Sequence, residues 1–206
     1  MRRPEFLARQ GRCPSGWLGS FIGRIMAHET AKENAAAIEL LRLEPTDRVL
    51  EVGFGHGRTI QALVSHVPEG RVSGIDHSPD MLRLATSVNR DAIAHGLVEL
   101  RQGNSDQLPY ADHEFHKVLT VHTVYFWPNP AAHFREFRRV LRAGGRFVLG
   151  FKSKDHTASS EFPATVYTFR SVEEIHQMLR EAGFSGIEVD EAGTTARQIS
   201  LVTGSV

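Results

Sequence analysis

The sequence predicts an α/β protein: a mostly parallel sheet covered by helices on both faces, with one antiparallel strand contributed by a closing hairpin. Three observations predict it. Arg48–Val52 runs as a strand into three alternating glycines, Gly53, Gly55 and Gly57, and then into a helix-competent stretch from Arg58 to His66. Short apolar runs then alternate with segments of helical period through the rest of the chain. Finally, Gly186–Asp190 and Ala196–Thr203 read as two successive strands with only a short connection, containing Gly193, between them.

Each element has its own signal. Residues 1–20 are rich in Arg, Gly, Pro and Ser and read as a loosely ordered arm or cap. Met26 to Leu43 has helical period, with Ala27, Ala35, Ile38 and Leu41 available for one face, and Pro45 stops it. Pro68-Glu69-Gly70 is a turn into a second strand, Arg71–Ile75, which ends at Asp76. Ser78 is an N-cap and Pro79 a first helical residue for a helix reaching about Ala94, closed by His95-Gly96. Val98–Gln102 and Phe115–Val121 follow as strands, and Pro130–Leu141 as a helix with Phe134, Phe137 and Leu141 on one side. Ala143-Gly144-Gly145 turns into the strand Arg146–Phe151. Ser171 caps a last helix, with Val172, Ile175, Met178 and Leu179 inward, which Gly183 stops. Residues 152–170 break the rhythm after a strand's C-terminal end, which fits either a substrate flap or a variable surface loop.

Composition narrows the class. The 206 residues suffice for one domain with a full core. Lys plus Arg and Asp plus Glu are equal at 24 each, so the basic excess of a nucleic-acid binder is missing. Arg135, Arg138, Arg139 and Arg142 lie at helical spacing and read as a solvated face. Cys13 is the single cysteine, which excludes an intrachain disulfide and a cysteine metal site. His113-Glu114-Phe115-His116 has one residue too few for a zinc helix motif, so no metal is expected. No apolar run reaches the roughly 18 residues of a membrane span, and the basic N-terminus lacks a signal-peptide core, so the expectation is a cytoplasmic protein without membrane insertion.

The glycine segment carries the chemistry. Glycines alternating at a strand tip let a ligand lie against bare main chain, and the helix beyond offers free N–H groups. A dinucleotide loop of the form G-x-G-x-x-G needs glycine at position 58, where Arg58 stands. Glu51, two residues before the first glycine, suits a cationic or amine-bearing ligand better than a pyrophosphate. Asp76, at the end of the next strand, can accept hydrogen bonds from both hydroxyls of a ribose.

At these positions the chain resembles the class I S-adenosylmethionine-dependent methyltransferases, particularly the small-molecule group that includes the ubiquinone and menaquinone biosynthesis enzymes. The resemblance runs over roughly Ala27 to Phe151. It rests on the segments beginning at Val49, Val72, Gln102 and Leu141, which match the cofactor loop, the ribose-binding strand, the adenine-side segment and the turn into the fifth strand. It implies a Rossmann-like seven-stranded sheet of order 3-2-1-4-5-7-6 with the last strand antiparallel. It also implies S-adenosylmethionine as cofactor, bound by Glu51, Gly53, Phe54, Gly55, Gly57, Asp76, His77, Asn104, Ser105 and Val121. The chain then divides into an arm and helical cap over 1–44 and a cofactor-binding core over 45–206. Departures are Asn104 and His116, where the family commonly has Asp, and His56, where small residues or Pro are usual. The Asn104 carbonyl can still accept a bond from the adenine amino group.

Methyl transfer from a sulfonium is an in-line displacement that needs a nucleophile about 3–3.5 Å from the methyl carbon and the exclusion of water. The small-molecule acceptor is therefore expected beside the end of the fourth strand, at His122, Thr123, Tyr125, Phe126 and Trp127. His122 and Tyr125 are the catalytic candidates: His122 is either a base or a packing residue, and Tyr125 and Trp127 either line the acceptor pocket or belong to the core. His28 either contacts the ligand or lies on the surface. Two other functions stay open: a nicotinamide-dependent oxidoreductase, and a cofactor-binding module without catalysis. Oligomeric state and acceptor identity cannot be read from these residues.

Overall fold

The computed structural model describes Glu5 and residues 30–155, 162–192 and 198–206. Seven strands form one sheet: β1 (Arg48–Val52), β2 (Arg71–Asp76), β3 (Val98–Gln102), β4 (Phe115–Val121), β5 (Leu141–Phe151), β6 (Ser185–Ala192) and β7 (Ile199–Ser205). Their order is β3-β2-β1-β4-β5-β7-β6, as the resemblance implies. Pairings from β3 through to β5 are parallel, while β7 runs antiparallel to both β5 and β6. Among the described residues the helices are α1 (Ala31–Leu41), α2 (Arg58–His66), α3 (Pro79–Val88), α4 (Arg90–Ala94), α5 (Pro130–Val140) and α6 (Val172–Glu181).

The central strands are apolar on both sides because each side has its own helical cover. Leu50, Val118 and Phe147 pack with Phe134 and Phe137 of α5 and with Ile175 and Leu179 of α6. Their neighbours Val49, Leu119 and Val148 point the other way, to Leu41 of α1, Leu63 of α2 and Met81 of α3. Alternate residues of one strand thus serve two cores, which is why the runs read as continuous rather than alternating. All of these side chains are essentially inaccessible to water.

The ends of the elements follow local chemistry. The Ser78 hydroxyl accepts from the Met81 N–H with Pro79 at the first helical position of α3. Ser171 and Glu174 form a reciprocal capping box at the start of α6. Four expectations need correction. In α1 the inward residues are Glu33, Ala37, Ile38 and Leu41, and Ala35 is exposed because it lies about 200° around the helix from Glu33; Ala27 lies outside the described residues. The helix expected over Pro79 to Ala94 is two helices, because the Asn89 side chain turns back to the carbonyls of Ala85 and Gly57. Ala143-Gly144-Gly145 does not precede β5 but bulges within it, as the β4–β5 register jumps from Phe115↔Leu141 to Lys117↔Arg146. Arg139 is not part of a free solvated face: it bonds Glu136, Asp112 and the carbonyls of Leu108 and Tyr110.

The closing hairpin pairs β6 with β7, and residues 193–197 of its connection lie outside the described residues. β6 is the outer strand and is largely exposed. Of the expected flap, residues 156–161 lie outside the described set; beyond them Tyr167 and Phe169 pack against Tyr125, and the Thr168 N–H donates to the Tyr125 carbonyl.

Candidate functional site

The strand order reverses between β1 and β4, and a crevice opens at their C-terminal ends, as it does wherever connections leave a parallel sheet in opposite directions. The cavity there has a volume of about 400 Å³. The loop after β1 builds one wall. Gly53 has φ +78°, and a Cβ on it would sit 2.4 Å from the Thr123 side chain, so any larger residue is excluded. Gly55 has φ +52° and a Cβ there would meet no protein atom, leaving its main chain bare toward the crevice. The loop is pinned on both sides: the Gly53 N–H donates to the Ile75 carbonyl at 2.8 Å, and Asn89 holds the Gly57 carbonyl at 3.0 Å.

Two carboxyls face this loop, one buried on Glu51 and one half-buried on Asp76. Asp76 accepts from the Gly55 N–H on one oxygen and the Ser78 N–H on the other, both at 2.9 Å. Burial pushes the Asp76 carboxyl above its ordinary range, with those two N–H groups pulling the other way. Glu51 is almost inaccessible to water, and its Oε2 has no hydrogen-bond partner among the described residues. Burial first, and then the nearby Asp76, pushes Glu51 up to about 8, against a hydrogen bond from Thr59. A buried oxygen without a partner costs free energy unless a ligand supplies the donor. A ligand carrying an ammonium and vicinal hydroxyls matches these groups, whereas an anion is repelled by them.

At the other end of the crevice Ser105 is buried, with its hydroxyl 2.7 Å from His133 Nδ1. The His133 ring lies flat on Trp127, the centroids 4.4 Å apart and the planes within 10°. Burial pushes His133 down to about 4, so it is neutral near pH 7. Asn104 and His77 border the cavity from exposed positions.

His122 is the bend that directly follows β4. Its backbone is left-handed, with φ +59°, a conformation that costs a non-glycine residue about 1 kcal/mol or more. Three bonds hold it there. Its N–H donates to the Gly150 carbonyl at 2.8 Å, its Nε2 lies 2.5 Å from Glu33 Oε2, and its Nδ1 lies 3.1 Å from the Tyr125 hydroxyl. The Lys152 N–H also donates to that hydroxyl.

Of the residues singled out from sequence, Glu51, Gly53, Phe54, Gly55, Asp76, His77, Asn104, Ser105, Val121 and His122 border the cavity. Gly57 and Tyr125 are not among its lining residues. Gly57 is instead the left-handed cap of α2, backed by Ala85 and Asn89. Tyr125 sits behind His122, its ring among Phe126, Tyr167 and Phe169 at centroid distances of 6.0, 5.8 and 4.9 Å, and burial pushes its hydroxyl well above the ordinary phenol range. Of the two readings open for Tyr125, acceptor-pocket lining or core, this packing favours the core. Glu33, Asn89 and His133 were not singled out. Each acts on a partner far away in sequence, and it was those partners, His122, Gly57 and Ser105, that carried a readable signal. His28 lies outside the described residues. Among the described residues no cluster could hold a metal ion, and no helix is long and apolar enough to cross a membrane.

Comparison with known proteins gives a consistent result. Residues 50–149 match the family model described as a methyltransferase domain. An uncharacterized methyltransferase of Bacillus subtilis, YdaC, is 31% identical over 139 residues, covering 68% of this chain and 75% of that protein. The rice 2-methyl-6-phytyl-1,4-hydroquinone methyltransferase 1 is 29% identical over 158 residues, covering 73% of this chain but 47% of its own, so the chain spans about half the length of that relative. Among solved structures, a chain from the complex of the Haloferax volcanii Trm112 methyltransferase activator with a protein named as a methyltransferase superposes with a TM-score of 0.82. That pair is 21% identical, and the match covers 100% of this chain and 99% of that one.

Proposed function

This chain belongs to the methyltransferase domain family, and on that premise we propose that it transfers a methyl group from S-adenosylmethionine to a small-molecule acceptor. The observation that carries the reading is the buried, unpartnered Glu51 oxygen beside Asp76 on a glycine loop. Glu51 receives the ammonium of the cofactor's amino-acid end, Gly55 leaves main chain bare against it beside Gly53, and Asp76 takes the ribose hydroxyls. Asn104 and Ser105, with His77, border the adenine end. When bound, S-adenosylmethionine supplies an electrophilic methyl carbon on a sulfonium; the chain's own task is to orient the acceptor and keep water out.

On the acceptor side, Val121, His122, Phe126 and Trp127 form the wall. His122 has both ring nitrogens engaged within the protein, so it orients rather than waits as a free base, and Tyr125 supports it from behind. Thr30 and Asn34 close the cavity at the start of α1, which is in keeping with a cap over 1–44 on a core over 45–206, and the packing of Tyr167 and Phe169 on Tyr125 is in keeping with a flap over 152–170. The aromatic rings at the wall suit a planar acceptor, and the rice relative is named for a hydroquinone.

Calorimetry and thermal melting with S-adenosylhomocysteine, and separately with a nicotinamide dinucleotide, test the reading. S-adenosylhomocysteine is expected to bind and raise the melting temperature. Stabilisation by the dinucleotide alone overturns the proposal. Binding with no transfer of labelled methyl to a panel of phenols, amines and activated carbons overturns its catalytic half.

A further inference from the structure

Glu33 is an acidic residue in the first turn of α1, yet it is only 6% exposed. A first-turn carboxylate normally faces water and complements the helix dipole. Here it turns inward to the end of β4 and meets His122 Nε2. Glu33 is not itself among the residues lining the cavity, but its neighbours Thr30 and Asn34, three residues before and one after, both are. The far end of α1 is fixed independently, where the Arg146 side chain donates to the Leu40 carbonyl at 2.6 Å. The Glu33–His122 bond ties the near end of the helix to the end of β4 beside the cavity.

The bonding pattern around His122 has a direction. The Lys152 N–H can only donate, so the Tyr125 oxygen accepts from it and keeps its own proton to give. Within reach of that proton is His122 Nδ1, which then accepts, and the ring proton resides on Nε2, facing the Glu33 carboxylate. Lys152 N–H, Tyr125 O–H, His122 and Glu33 make one chain joining the ends of β5, β4 and α1. It ends on the only partner in the series that has no proton to give.

We propose that Glu33 is a positioning residue of the methyl-transfer site: it holds His122 in its left-handed backbone conformation and in the Nε2–H tautomer, and thereby seats the first turn of α1 across the cavity. The role in transfer rests on the proposed function; the effect on His122 does not. Without the carboxylate, the left-handed strain at His122 is no longer opposed by a bond at Nε2. The binding-competent conformation then falls to roughly a tenth of the population, and ligand affinity falls by roughly tenfold.

The test combines nitrogen-15 spectra of the histidine rings in ligand-free protein with calorimetry of S-adenosylhomocysteine, for Glu33→Ala and Glu33→Gln. Wild-type His122 is expected to show a protonated Nε2 and an unprotonated Nδ1. Glu33→Ala should average the two signals and weaken binding by roughly tenfold, while Glu33→Gln, whose carbonyl still accepts from Nε2–H, should restore both. Unchanged ring signals in Glu33→Ala, or a Glu33→Gln protein that behaves like Glu33→Ala, overturn the proposal. If Glu33→Ala does not fold, a Tyr125→Phe protein serves in its place, since it leaves the Glu33 bond at Nε2 intact: a His122 spectrum like wild type supports the role of Glu33, and averaged ring signals overturn it. Should wild-type protein fail to bind S-adenosylhomocysteine, the proposed function fails, while the ring spectra still decide the role of Glu33.

Discussion

Replacing Glu51 with Gln separates what this residue costs the fold from what it contributes to the site. The wild-type carboxyl titrates near 8 in the folded protein against an ordinary 4.5. A raised carboxyl means that folded protein binds the proton more tightly than unfolded chain, so the stability it confers is present below the unfolded value and is lost as pH rises toward 8. Each pH unit in that window removes about 1.4 kcal/mol. Between about pH 5 and about pH 7.5 the loss amounts to about 3 kcal/mol. Glu51→Gln has no proton to lose. It should match wild type near pH 5 and exceed it by about 3 kcal/mol near pH 7.5, as read by urea denaturation at both pH values. Asp76, which is also raised, and the depressed His133 remain in both proteins, so the difference between the two curves isolates Glu51. S-adenosylhomocysteine affinity should move in the opposite sense, falling by roughly tenfold to a hundredfold as a charge-assisted bond is lost. A gap between the two proteins that does not widen with pH would refute this account of Glu51, and undiminished affinity would refute its contact with the ligand.

Two further outcomes follow from the backbone. Gly53→Ala places a methyl group 2.4 Å from the Thr123 side chain at a positive φ, so it should cost at least about 1 kcal/mol and abolish measurable S-adenosylhomocysteine binding in the same calorimeter. Ser171→Ala removes one half of the capping box of α6 and should cost about 1 kcal/mol in urea, with ligand affinity unchanged because α6 lies away from the crevice.

The sheet was legible in the sequence because its strands are bounded by chemistry that acts locally. Arg48–Val52, Val98–Gln102 and Phe115–Val121 lie where their apolar runs place them, and Ser78 and Ser171 mark helix starts by their own hydroxyls. The break at Asn89 was not legible, since its cause is a carbonyl 32 residues away in the glycine loop. The bulge at Ala143–Gly145 was read as an ordinary turn because its register is set by β4, not by its own residues. In the site, Glu51 and Asp76 were visible from their spacing to the glycines. Glu33 was not, because an acidic residue in a first turn has a sufficient local explanation, and its partner lies 89 residues on. Tyr125 stayed open between two readings for a related reason: an aromatic residue just past a strand end reads the same whether it faces a cavity or a neighbouring segment. Here the packing of Tyr167 and Phe169 decided the matter.

The two outer strands of the sheet have unpaired backbone groups along one side and so are templates for unwanted extension of the sheet. β6 carries exposed Glu188, Asp190 and Glu191 around Val189, the large apolar side chain that stands 44% exposed. A second molecule offering its own β6 would bring carboxylates against carboxylates. The opposite margin, β3, carries Glu99 and Arg101 bound to each other, with Arg71 of the adjacent strand joining them. Any strand docking there must break or accommodate that cluster. Both margins thus discourage the sheet from adding foreign strands through the charges of a few surface residues, and neutralising the acidic row on β6 exposes the chain to aggregation without touching its core or its crevice.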